Sequence, residues 1–141
     1  MSSVEQRKDR QRLQAYIERE QLVSVLNDTK WERLFRSFQI LDDILDFRRK
    51  DVRDPSSEAP LHWDADLYHV MGARHSIEWL EVRAKVSRSR GALLQVTVED
   101  HTARLLEAVK SAGVPFEMTE EGIRIWGYLR PGVSPKWVDT T

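Results

Sequence analysis

Apolar side chains recur at close to helical spacing along residues 1–26, and this pattern predicts one amphipathic helix. The positions before Leu13 are almost all polar. We therefore expect only the second half of this helix to dock on the rest of the protein. The docking side chains are expected to be Leu13, Tyr16, Ile17, Val23 and Leu26.

A second apolar stripe is the clearest helix signal in the chain. Its four members have the spacing i, i+3, i+4, i+7 and are expected in the core: they are Trp31, Leu34, Phe35 and Phe38. Thr29 and Glu32 have the spacing of a capping box, so we predict that Thr29 caps this helix. The helix is expected to end near Asp42 and Asp43, and residues 45–53 are expected to form a charged edge strand.

Strict alternation over residues 77–86 predicts a half-buried strand. One side of it carries Leu80, Val82, Ala84 and Val86, and the other side carries Trp79, Glu81, Arg83 and Lys85. Residues 93–98 are expected to pair with this strand as a hairpin. Asp100 should cap a helix over residues 101–112, and Gly113 should end it in the left-handed conformation.

Two more strands are expected after Pro115, one starting at Phe116 and one over residues 123–129. If residues 77–86, 93–98 and 123–129 are neighbours, one outer sheet face collects Trp79, Arg83, Lys85, Thr97, Arg124, Trp126 and Tyr128. Aromatic rings interleaved with cations can form a protein hot spot or stack on bases. The pattern leaves open whether the N-terminal helix or residues 54–75 cover this face.

Together these elements predict an α+β fold with an antiparallel sheet of four to five strands and helices on one face. A β-α-β-β unit is expected near residues 92–129. The chain has 141 residues, the length of one domain. We therefore expect a single domain over residues 1–141, with an N-terminal helix over residues 1–26 and a tail over residues 130–141.

Three stretches carry a resemblance to a known family. Residues 26–31 are Leu-Asn-Asp-Thr-Lys-Trp, residues 77–81 are Ile-Glu-Trp-Leu-Glu, and residues 123–128 are Ile-Arg-Ile-Trp-Gly-Tyr. Over residues 25–129 the chain resembles a family of small uncharacterised bacterial proteins with an Asn-x-Thr-Lys-Trp start and a Trp-Gly-Tyr end. The resemblance implies a small intracellular α+β domain and carries over no functional residue. Proteins of this kind are often toxin-neutralising or interaction proteins.

The composition excludes several kinds of chemistry. There is no cysteine, so disulfides, thiolate zinc sites and cysteine nucleophiles are excluded. Lys and Arg number 22 against 23 Asp and Glu, and a net charge of -1 disfavours nucleic acid as a partner. The charged N-terminus and the lack of a long apolar run argue against a secretory signal and a membrane span, so we expect a cytoplasmic protein.

The strongest candidate for a metal-binding or catalytic site is a segment rich in histidine and aspartate. His62, Asp64 and His69, supported by Asp66 or His75, could hold a divalent metal with an open position. The alternative is a polar loop with incidental histidines. Neither a glycine-rich phosphate loop nor a His-Glu-x-x-His helix is present. The sequence predicts no cofactor.

These observations favour a non-catalytic protein-interaction domain, with the immunity partner of a bacterial toxin as its more specific form. The expected partner-binding residues are Trp79, Arg83, Lys85, Arg124, Trp126 and Tyr128. One alternative is a metal-dependent hydrolase that uses His62, Asp64 and His69, in which the bound ion would activate water. A second alternative is a module that binds single-stranded nucleic acid through the outer sheet face.

Overall fold

The fold is known from a computed structural model, which describes residues 3–55, 60, 62–88 and 97–139. The helices are α1 Ser3–Arg19, α2 Asp28–Gln39, α3 Leu67–Met71 and α4 Thr102–Ala112. The strands are β1 Val23–Ser24, β2 Asp46–Asp51, β3 Ile77–Arg83, β4 Lys85–Arg88, β5 Thr97–Asp100, β6 Glu117–Met118, β7 Gly122–Trp126 and β8 Tyr128–Leu129. No helix among these residues is long and apolar enough to cross a membrane.

The centre of the fold is a four-stranded antiparallel sheet with the order β2-β3-β7-β6. This confirms the predicted α+β class. β1 pairs with β8 and β4 pairs with β5 in two small separate ladders. The predicted edge strand is β2, and its Asp and Arg side chains suit an edge. β5, α4, β6 and β7 follow each other in the predicted β-α-β-β order.

The main core lies between one face of this sheet and the helices α2, α3 and α4. Alternate residues of the strands supply its sheet side, and the predicted stripe of α2 supplies much of its helical side. Its largest fully buried side chains include Leu34, Phe38, Phe47, Phe116 and Ile123. α2 and α4 pack directly against each other on this side.

The N-terminal helix is shorter than predicted. α1 ends at Arg19, because Gln21 adopts a left-handed φ of 57° and turns the chain into β1. Val23 is therefore exposed on a strand rather than docked on a helix face. Leu13 does dock as expected, in a small second cluster with Leu22 and Val52.

The cap of α2 also differs from the prediction. Asn27 precedes the helix in an extended conformation, and its Oδ1 accepts the backbone N–H of Lys30 at 2.9 Å. Thr29 lies inside the helix instead of capping it. The amide oxygen of Asn27 reaches the third helical N–H, which is the geometry that a cap requires.

The strand predicted over residues 77–86 is divided at Ala84. Lys85 begins β4, which pairs with β5 and not with the central sheet, so the predicted hairpin uses residues 85–88 and 97–100. Residues 93–96 lie outside the described part of the chain. Gly113 ends α4 with a φ of 70°, as predicted. The cap prediction is off by one residue, because His101 is the N-cap of α4 and its side chain makes no cap hydrogen bond. Asp100 lies one residue earlier, and its Oδ1 accepts the N–H of Thr102 at 2.9 Å.

Candidate functional site

A row of alternating charges crosses all four strands on the outer face of the central sheet. The strand register aligns Arg48 with Glu81, Glu81 with Arg124, and Arg124 with Glu117. Arg48 Nε donates to Glu81 Oε1 at 3.0 Å, and Arg124 Nη2 donates to Glu81 Oε2 at 3.2 Å. Arg124 Nη1 donates to Glu117 Oε1 at 3.3 Å. We call these four residues the charged row.

The charged row excludes water from its centre. Glu81 is only 4% exposed, and each of its two carboxylate oxygens accepts from a different guanidinium. A buried charge is tolerated when it is paired in this way, and removing one partner is costly. The row is therefore a rigid scaffold whose charges are already compensated inside the protein.

Trp79 and Trp126 form a pair in the next register position of the same face. The Arg124 guanidinium lies 5.2 Å from the Trp79 ring centre and 5.5 Å from that of Trp126, and Trp126 Nε1 donates to Glu117 Oε1 at 2.9 Å. The two rings are 6% and 9% exposed. They point to the outer face as predicted, and both are buried there, which answers for these two positions the question of coverage that the sequence left open.

Two further tryptophans lie at opposite ends of the face. Trp63 is half-buried, with the Arg48 and Arg83 guanidinium carbons 4.1 and 4.8 Å from its ring centre. Trp137, in the C-terminal tail, forms an antiparallel bridge with Glu117 and is 42% exposed. Bridged residues share a face, so Trp137 extends the charged row beyond β6. Four of the five tryptophans of the chain thus gather here: Trp63, Trp79, Trp126 and Trp137.

An open cleft of about 320 Å³ lies beside Trp63. Arg48 and Glu81 line its floor, but their charges are already paired with each other. Glu120 is exposed at the rim and makes no ion pair within the described residues. Glu121 approaches Arg83 only to 3.9 Å. Beside the paired charges, the cleft is therefore lined by an aromatic ring, two carboxylates and Thr119, whose hydroxyl oxygen accepts the N–H of Gly122.

Four of the six predicted partner-binding residues lie on this face, and two do not. Arg83 is held there by Asp46, with Arg83 Nη2 2.5 Å from Asp46 Oδ2. Lys85 lies in the separate β4–β5 ladder. Tyr128 packs on the small cluster under α1, and its hydroxyl donates to the backbone oxygen of His75 at 2.7 Å. Burial raises the pKa of Tyr128, and the charge of Asp28 raises it further.

Gly127 explains why Tyr128 leaves the face that Trp126 occupies. A Cβ at Gly127 would lie 2.1 Å from the backbone oxygen of Ile77, so no other residue permits this close approach of the two strands. Gly127 N donates to Glu78 O, and Gly127 O accepts from Val25 N. The chain therefore changes ladders at this residue, and the alternation of β7 does not continue into β8.

The predicted metal ligands are only partly brought together. His69 Nδ1 lies 2.5 Å from Asp64 Oδ2, and this hydrogen bond raises the pKa of His69 and lowers that of Asp64. Asp66 caps α3 by accepting the N–H of His69, while His75 lies against Asp28 at 3.5 Å. His62 is exposed. Among the described residues, no three His, Asp or Glu side chains are grouped to hold a metal.

A second buried charge cluster lies where β3 meets the chain after β8. Glu78 Oε1 accepts from Lys50 Nζ at 3.1 Å and lies 2.8 Å from the Arg130 guanidinium. Arg130 Nη2 also donates to Val52 O at 2.7 Å. Burial lowers the pKa of Arg130, but hydrogen bonds and charge interactions with Tyr16 and Glu78 together raise it overall. The cluster ties the C-terminal segment and α1 to the sheet.

Several residues of the face were not singled out as site residues from the sequence. Arg48 and Glu117 were assigned only to strands, Trp63 was placed in the histidine-rich segment, and Trp137 was placed in a tail. The signal that could have found Glu117 is its position two residues before the Thr119–Gly122 turn, which sets its register against Arg124. No local pattern identifies Trp63 or Trp137, because their places depend on chain segments that return from loops.

A model of a protein family of unknown function, DUF6678, matches residues 13–132. The chain belongs to this family. The DUF6678 match includes all four strands of the charged face together with Trp63, and Trp137 lies beyond its end. The family resemblance drawn from residues 25–129 is thus confirmed at the level of a family of unknown function. Neither the curated proteins nor the solved structures gave a match.

Proposed function

We propose that this protein is a non-catalytic interaction domain that binds another protein through the outer face of its central sheet. The observation that carries the proposal is the accessible Trp63 and Trp137 at the two ends of a rigid charged row. Tryptophan and arginine are the residue types most enriched at the energetic centres of protein interfaces. A prearranged face also lowers the entropy cost of binding.

The charge arrangement favours a protein partner over a nucleic acid. The arginines of the charged row are paired with carboxylates, and Arg83 is paired with Asp46. Binding to a phosphate backbone draws its affinity from cations that replace counterions. Paired cations supply little of this attraction, whereas a mixed-sign surface can match the mixed-sign surface of a protein.

The more specific form of the proposal is that the domain is the intracellular immunity partner of a bacterial toxin. It is supported by the resemblance of residues 26–31 and 123–128 to small bacterial proteins, and by the small size of the domain. An immunity protein needs only to occlude a site on its toxin. A prearranged face with an exposed Trp137, a half-buried Trp63 and free carboxylates such as Glu120 is suited to that task.

The test is to co-express the protein with the product of the adjacent reading frame, and to measure affinity for that product by calorimetry. Trp63→Ala and Trp137→Ala are each expected to weaken binding about 30-fold, since an interface hot spot contributes roughly 2 kcal/mol. Tyr68→Ala is the matched control, because Tyr68 is an exposed aromatic residue on the helical side. It should leave the affinity unchanged.

Two results would contradict the proposal. One is the absence of any complex between the two proteins. The other is a complex whose affinity is insensitive to both tryptophan variants while the variants keep the wild-type circular dichroism spectrum. Protection of growth against the neighbouring gene product would support the immunity form, and a complex without protection would leave a general interaction domain.

A further inference from the structure

A groove on the helical side of the protein carries the most exposed large apolar side chain of the described residues. It has a volume of about 280 Å³ and lies between the end of α2 and the outer side of α4. Ile40, which is 78% exposed, forms one wall. Ser37, Ala108 and Ser111 also line it, and their small side chains leave room for an incoming group.

Two opposite charges on α4 flank this groove. Arg104 and Glu107 are three residues apart, so they lie about one turn apart on the same side of the helix. Both side chains are exposed. Neither makes a hydrogen bond or ion pair with the part of the chain that the structure describes. Their charges are therefore available to an incoming partner.

We propose that the occupant of the groove is a second copy of this chain. A two-fold axis brings the same patch of both copies together, so residue i of one copy contacts residue j of the other and the reverse. If the two α4 helices lie antiparallel across the axis, Arg104 of each copy meets Glu107 of the other. Ile40 of each copy then fills the groove of its neighbour beside Ala108.

The charge pattern is what selects a second copy over an unrelated protein. A two-fold axis places the cation on the α4 helix of each copy against the anion on the α4 helix of the other. The same two residues therefore form two ion pairs across the interface. The apolar wall supplies burial, and the pairs supply orientation. This surface lies on the side of the sheet opposite the charged row, so the inference stands independently of the proposed function.

The experiment is sedimentation velocity over concentrations from low micromolar to millimolar. Wild-type protein is expected to shift from monomer to dimer. Arg104→Glu and Glu107→Arg are each expected to raise the dimer Kd at least tenfold, because both cross-contacts then join like charges. An equimolar mixture of the two variants should dimerise again, since all cross-contacts in the mixed dimer join opposite charges. Lys110→Glu, which changes a charge on α4 outside the groove, should have no effect.

The mixture of the two variants distinguishes a lost contact from a lost fold, because misfolded variants could not form a dimer when they are mixed. A wild-type protein that stays monomeric at the highest concentration would overturn the inference. So would a dimer that is insensitive to both variants, or a mixture that stays monomeric while each variant keeps its native circular dichroism spectrum. Loss of binding to the neighbouring gene product in these variants, without any change in self-association, would assign the groove to that other partner.

Discussion

Trp126 is held on three sides by its neighbours in the sheet. Its indole N–H donates to Glu117, the Arg124 guanidinium lies near its ring, and Trp79 is opposite on the adjacent strand. Trp126→Ala removes a large buried ring and leaves the Glu117 carboxylate with one hydrogen-bond donor fewer. We expect the free energy of unfolding to fall by about 3–5 kcal/mol.

Urea denaturation of Trp126→Ala and Trp137→Ala tests this expectation. The matched control is Trp137, which lies on the same face but is 42% exposed, so its loss should cost less than about 1 kcal/mol. Equal and small effects of the two variants would contradict the burial of Trp126. Such effects would also indicate that the Trp126 side chain is accessible to solvent.

The Asp64–His69 pair predicts a pH effect at one residue. The hydrogen bond from His69 to Asp64 raises the histidine pKa above its usual value of 6.5. Folding therefore favours the protonated imidazole, so the stabilisation is complete below pH 6.5 and is lost as the pH rises through the folded-state pKa. Asp64→Asn should bring the His69 pKa back toward 6.5.

An NMR titration of the His69 imidazole protons measures this shift. Asp43→Asn serves as the control and should leave the His69 curve in place, because the side chains that shift the His69 pKa are those of Asp64, Asp66 and Arg49. A His69 pKa that is identical in Asp64→Asn and the wild-type protein would show that the short contact does not exist in solution.

The start of α2 provides a prediction at the level of an element. Asn27→Ala removes the oxygen that accepts the N–H of Lys30 and is expected to lower the free energy of unfolding by about 1 kcal/mol. Thr29→Ala, inside the helix, should change it by less than about 0.5 kcal/mol. Thermal and urea unfolding of the two variants decide between the caps. A larger loss of unfolding free energy for Thr29→Ala would indicate that Thr29 caps the helix, as in the predicted capping box.

Helices and strand faces were predictable because they depend on local spacing. The stripe of Trp31, Leu34 and Phe38 enters the core, and the alternation of β3 assigns Trp79 and Glu81 to the correct face. The helix end at Gly113 was also predictable, because only a residue without a Cβ adopts its left-handed φ at little cost.

The parts that were not predictable depend on contacts between distant segments. Alternation continues through Ala84, although the chain passes there from one ladder into another, so Lys85 was misplaced. Tyr128 was misplaced because the close approach of Gly127 to Ile77 is a tertiary requirement. Within the charged row, Arg48 and Glu81 are 33 positions apart in the sequence, and Glu81 and Arg124 are 43 positions apart. No local spacing in the sequence indicates that these residues pair.

At the scale of the whole molecule, the central sheet separates two different surfaces. α2 and α4 pack on its core side and present the groove beside Ile40, while its other side carries the charged row and four tryptophans. A dimer formed through the helical side would leave both outer faces free. The protein could then present two copies of the charged face to its partners.

The two ends of the outer face are accessible, while its centre is closed to solvent. The most direct measurement is ¹⁹F NMR of protein labelled with 5-fluorotryptophan, with a paramagnetic co-solute and with each resonance assigned by a tryptophan-to-phenylalanine variant. We expect strong broadening for Trp137, intermediate broadening for Trp63 and protection for Trp31, Trp79 and Trp126. Broadening of Trp79 or Trp126 equal to that of Trp137, or protection of both Trp63 and Trp137, would contradict the account.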